Sequence, residues 1–167
     1  MLCVISAQCL IEAQAYGANR NRQRRYAYVK LNGVAVFQAS WMGEFPRRRG
    51  VNVVIVEPSS CTMQDWRNFD THAVRPDYGA RLRDYLRRLS DGTVLVAVSC
   101  DEASKELHSA EATLSEMGAD VSDVGWRGAW AFVAEKGDPS KTVLDKELTE
   151  EAATARQPQV TVAFGGA

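Results

Sequence analysis

The sequence predicts a mixed α and β domain, and three observations carry that reading. The first fifty residues alternate apolar and polar side chains around an Asn-Gly pair. Three later runs are dense in apolar and β-branched residues. Between those runs the apolar positions fall at helical spacing.

Each element follows in order. Residues 1–11 are mildly apolar, lack a basic start and are broken by Ser6 and Gln8, so they read as strand and not as a secretory signal. Residues 10–16 alternate as a half-buried strand does. Gly17, Ala18 and Asn19 are turn formers, and the basic stretch 20–25 reads as an exposed loop. Residues 26–31 and 34–37 flank Asn32-Gly33, the strongest short hairpin signal, and predict an antiparallel pair. The β-branched run 51–56 suits a strand covered on both faces.

Beyond residue 77 the period changes. Tyr78, Leu82, Tyr85, Leu86 and Leu89 share one helical face, with Pro76 and Asp77 at its start and Ser90-Asp91-Gly92 at its end. Residues 93–99 form a second buried strand. Ala103, Leu107, Ala110, Leu114 and Met117 predict a second helix, with Asp101 as its N-cap and Gly118 leaving in a left-handed conformation. Residues 130–133 form a third buried strand. This strand–helix alternation predicts right-handed crossovers and some parallel pairing. Residues 145–154 are polar and helix-prone, and 159–164 alternate as an edge strand. The chain divides into a domain at 1–137 and a C-terminal extension at 138–167, with a helix and an edge strand, packed on that domain.

The 167 residues carry 20 Lys and Arg against 21 Asp and Glu, a net charge of −1. A domain built to neutralise nucleic-acid phosphates is excluded on that balance. No apolar run approaches the ~18–20 residues of a membrane span. The total is a cancellation: residues 20–49 hold eight bases and one acid, and residues 101–123 hold seven acids and one base.

Signatures of catalysis are missing. There is no GxSxG, HExxH, GxxxxGK[ST] or GxGxxG, and the two histidines, His72 and His108, leave thin material for a zinc site. Cys3, Cys9, Cys61 and Cys100 make no CxxC pair, and two disulfides or four buried thiols remain open. A thiol enzyme on Cys100 has no spacing to support it. No enzyme, metal or cofactor is expected.

What stands out is a set of residues at strand ends. Arg49 precedes the 51–56 strand, Asp101 follows the 93–99 strand, and Gly125-Trp126-Arg127-Gly128 leads into the third. Singly, each has a plainer role: Asp101 as a helix cap, Arg127 in a surface ion pair, Trp126 in the core. Brought together, two planar guanidinium groups, a carboxylate and an aromatic face suit the hydroxyls, amide and C–H surface of a sugar.

Five segments in order carry a family resemblance: Gly50 to Val56, then Asn68-Phe69-Asp70-Thr71, Asp91 to Val98, Asp101-Glu102-Ala103-Ser104, and Gly125-Trp126-Arg127 with Trp130-Ala131-Phe132-Val133. With the upstream hairpin, these resemble the interleukin-like epithelial–mesenchymal transition inducer (ILEI) domain over about residues 10–137. A similar domain is the lectin-like stem of protein O-mannose β-1,2-N-acetylglucosaminyltransferase. The resemblance implies two β-sheets with flanking helices, an ILEI-type ββα lectin-like fold. It implies a non-catalytic module binding N-acetylglucosamine, its sugar contacts falling on Arg49, Asp101 and Arg127, and a secreted or extracellular location. Trp126 adds an apolar wall. Glycans bearing N-acetylglucosamine or N-acetylgalactosamine are then the expected partners, and a homo-oligomer would multiply a weak site. The alternative within the same family is a secreted cytokine-like or protein-interaction module, its arginine-rich segments 20–25 and 47–49 meeting an acidic partner.

Overall fold

The computed structural model describes residues 8–17, 26–40, 45–148 and 157–165. Those residues build two β-sheets and two helices. The strands are β1 (Cys9–Gln14), β2 (Tyr16–Gly17), β3 (Ala27–Leu31), β4 (Val34–Ala39), β5 (Gly50–Glu57), β6 (Thr62–Phe69), β7 (Val94–Asp101), β8 (Ala129–Glu135), β9 (Asp138–Glu147) and β10 (Gln159–Phe164). The helices are α1 (Tyr78–Arg88) and α2 (His108–Glu116). One sheet has the order β10-β1-β3-β4. The other runs β6-β5-β7-β8-β9, with β2 attached to β7.

Asn32 and Gly33 turn β3 into β4 with φ of 49° and 79°, the left-handed pair that matches strand twist. Asp77 caps α1, its carboxylate accepting from the Ala80 N–H at 2.8 Å. Two apolar layers hold the molecule together. Ile11, Val29 and Phe37 of the first sheet meet Val54, Val96, Val98, Ala131 and Val133 of the second. On the far face of the second sheet, Val53, Leu95, Trp130 and Phe132 pack under Leu82, Leu86 and Leu114 of the helices. The sheet between is covered on both sides, which is why β5, β7 and β8 read as nearly unbroken apolar runs. A disulfide joins Cys9 on β1 to Cys61 in the turn between β5 and β6, and Cys100 is a buried thiol. Neither expected cysteine pattern is met; Cys3 lies outside the described residues.

Several expectations are corrected. The long ladders are antiparallel, and among the described residues parallel pairing amounts to Tyr16–Cys100, Gly17–Asp101 and an isolated bridge between Ser40 and Arg47. Apolar density reports burial on two faces and is silent on strand direction. β6 and β7 do run the same way, but antiparallel β5 lies between them. Asp101 is no helix cap: it ends β7, and α2 begins at His108 behind Leu107, which makes no side-chain cap. The helix expected from residue 145 is strand β9 as far as Glu147, paired with β8; residues 149–154 lie outside the described residues. β10 is an edge strand beside β1, with Cys9 opposite Phe164 and Gln14 opposite Gln159. The basic stretch 20–25 and residues 1–7 also lie outside the described residues.

Candidate functional site

Four pieces of chain meet at one end of the second sheet. They are the entry to β5, the exit of β6, the exit of β7 and the loop before β8. Register dictates the meeting: Gly50 lies opposite Cys100, while Val51 lies opposite both Phe69 and Ser99. A Cβ on Gly50 would fall 2.2 Å from the Phe69 carbonyl oxygen, and its φ is +93°, so only glycine lets β5 enter this close to β6. Arg49, one residue earlier, therefore reaches Asp70, and Nε and Nη2 donate to the two carboxylate oxygens at 2.9 Å each. That pair raises the affinity of Arg49 for its proton.

Asp101 stands beside this pair at the end of β7. Burial, the largest cause, raises its pKa, as does neighbouring Glu102, while Arg127, Arg49 and His72 pull it the other way. The fold thus brings Arg49, Asp101 and Arg127 into one electrostatic neighbourhood. Trp126 is 50% exposed, with the Arg127 guanidinium carbon 5.6 Å from the centre of its ring. The His72 ring lies tilted against the same indole, ring centres 5.4 Å apart. Nδ1 of His72 is buried with no hydrogen-bond partner among the described residues. Trp130, by contrast, is core and fully buried.

The loop before β8 is held from several directions. Gly125 N–H donates to Leu148 O at 2.6 Å, Gly128 N–H to Gly125 O at 3.0 Å, and Trp130 N–H to Ser99 Oγ at 2.9 Å. Glu102, 2% exposed, accepts from the Arg127 N–H, and its other oxygen accepts from Ser104 N–H and Oγ at 2.5 and 2.6 Å. Gly17 lies against the opposite side, where a Cβ would fall 2.1 Å from the Arg127 carbonyl oxygen. Thr71 Oγ1 donates to Ala103 O at 2.8 Å and ties the exit of β6 to the exit of β7.

The sequence flagged Arg49, Asp101, Arg127 and Trp126, and missed Asp70, His72 and Glu102. Asp70 was visible in the Asn-Phe-Asp-Thr segment, but its bond to Arg49 depends on the β5–β6 register. Glu102 was visible only as the neighbour of Asp101. Burial pushes the Cys100 thiol up to about 12, which makes it a poor nucleophile at neutral pH. Among the described residues no group of three His, Cys, Asp or Glu is placed to hold a metal ion.

Residues 49–138 match the family described as interleukin-like EMT inducer, a stretch that begins at Arg49 and contains Asp101 and Arg127. The chain belongs to the interleukin-like EMT inducer family. Human "Cell migration-inducing and hyaluronan-binding protein" is 32% identical to this ILEI chain over 111 residues, 65% of the chain and 8% of the relative. Rat "Protein FAM3C" is 27% identical over 104 residues, covering 60% and 44%. Mouse "Protein FAM3A" is 28% identical over 102 residues, covering 60% and 43%. The ILEI chain thus spans less than half the length of each relative. Its family and its architecture fit a cytokine-like or binding module. Among the described residues no helix is long and apolar enough to cross a membrane.

Proposed function

We propose that this chain is a non-catalytic lectin for N-acetylhexosamines, N-acetylglucosamine foremost. One observation carries the reading: Arg49, Asp101 and Arg127 converge beside a half-exposed indole at one end of a sheet. Asp101 accepts from sugar hydroxyls, Arg127 and Arg49 donate to hydroxyl or acetamido oxygens, and Trp126 covers a C–H face. At the rim the guanidinium groups of Arg49 and Arg127 stand among the carboxylates of Asp70 and Asp101, with Glu102 buried behind them, so no excess of positive charge calls for an anionic ligand. A relative whose name describes it as hyaluronan-binding supports a glycan as the class of ligand. A site this small holds a monosaccharide at a Kd of about 1 mM, or roughly −4 kcal/mol. A homo-oligomer would raise that through avidity, and the disulfide suits the oxidising compartment of a secreted protein.

Titration with N-acetylglucosamine tests the site. Arg127→Gly keeps a residue at ease at φ +58° and removes the side chain with its guanidinium, and it should weaken binding at least tenfold. Native mass in the same run reads the oligomer. Parent-like affinity in Arg127→Gly and in Asp101→Asn overturns the assignment. A chain that ignores sugars but saturates with an acidic protein is the cytokine-like or interaction module of the same fold.

A further inference from the structure

We infer that Glu102, a buried side chain, is the positioning residue that sets Arg127 and Trp126 in their ligand-facing geometry. The inference rests on the lectin reading for its meaning and on geometry for its content. A carboxylate that is 2% exposed carries a heavy desolvation penalty unless donors surround it, and a core position has no need of one. Donors do surround it. Two come from its own turn, Ser104 N–H and Oγ, and those fix which way the second oxygen points. That second oxygen takes the N–H of Arg127, twenty-five residues away in sequence.

Arg127 has a φ of +58°, a conformation that a non-glycine residue keeps only where its surroundings over-determine it. Two such constraints are present, on its two peptide groups. Glu102 takes the N–H, and Gly17 closes on the carbonyl with no room for a Cβ. The Arg127 amide is also the peptide link to Trp126, so one hydrogen bond fixes the stretch of backbone from which both the guanidinium and the indole project. Asp101, the residue before Glu102 and the last of β7, is also at positive φ. The carboxylate group, the guanidinium group and the aromatic wall are thereby locked to one another through Glu102. Its nearest ordinary role, satisfying a turn through Ser104, explains one oxygen and leaves the other unexplained.

Glu102→Gln tests this, because an amide cannot accept on both sides and leaves either Arg127 or Ser104 facing an N–H donor. Three readouts on the full chain are the amide proton shift of Arg127, its hydrogen-exchange protection relative to residues 94–98 of β7, and N-acetylglucosamine affinity. The expected result is an upfield move of the Arg127 amide, at least a tenfold loss of its protection with β7 unchanged, and at least a tenfold weaker Kd. An Arg127 amide whose shift and protection match the parent overturns the inference. If the parent itself binds no sugar, the lectin reading fails, and the amide readouts still decide the positioning role alone. Should Glu102→Gln not fold, Ser104→Ala removes the hydroxyl, one of the two donors on that oxygen, and leaves the residue-104 N–H in place. Its Arg127 protection should fall about two- to fivefold, and an unchanged value overturns the inference equally.

Discussion

Asp101 and Arg127 are two of the four non-glycine residues with positive φ among the described residues, and they stand on the same edge. Such backbones cost about 1–2 kcal/mol each in ordinary residues, less for aspartate. Asp101 carries a second cost, since burial raises its pKa above the unfolded value. The folded state therefore binds that proton more tightly than the unfolded chain does. Its penalty is absent below the unfolded carboxylate value and grows as pH rises through the folded one. Asp101→Asn keeps the tolerance for positive φ and removes the charge. Its melting temperature should rise relative to the parent between pH 3 and pH 7, with sugar binding weakened. A difference that stays flat with pH would refute the burial account. Gly17→Ala probes the opposite wall. The added methyl strikes backbone, not a flexible side chain, so a loss of about 1–3 kcal/mol in chemical denaturation is expected, together with weaker sugar binding.

At the scale of elements, the structure shows which features a linear pattern encodes. β3, β4, β5, α1, β7 and β8 were legible because alternation, β-branching or helical spacing records which faces are buried. Strand direction was not, because it is set by chain routing: β7 lies against β5, and α1 carries the chain past it. β9 read as helix-prone since Asp145-Lys146-Glu147-Leu148 has helix-forming composition, and pairing with β8 overrides that weak preference. Ala103 and Leu107 keep helical phase yet precede α2, because both are buried by the segment leading into it. At the site, Arg49, Asp101 and Arg127 could be flagged as charged strand ends, whereas their partners Asp70 and Glu102 are defined only by register and burial. The disulfide escaped too, since it joins β1 to a turn of the other sheet across 52 residues. Reducing it, or Cys9→Ser with Cys61→Ser, should cost about 2–4 kcal/mol in denaturant unfolding. A cost near zero would show that the apolar layer alone holds the sheets together.

For the whole molecule, the family match ends at residue 138, yet β9 and β10 lie beyond its core strands and extend both sheets. A chain stopped after Gly137 would leave β8 and β1 with unpaired edges and uncover the part of the core that Leu144 packs against. Such a truncation should aggregate or lose its cooperative melt, measured by size-exclusion chromatography and circular dichroism. A soluble, cooperatively melting product would mark 138–167 as a dispensable extension. The β1–β10 register has one more consequence. Because Cys9 faces Phe164, whatever chain precedes β1 and whatever follows β10 depart side by side. They do so a full strand length from Gly17, which abuts the Arg127 loop. A unit with adjoining entry and exit can be spliced into a larger polypeptide like a bead on a short stalk, with the candidate site at the end away from the junction.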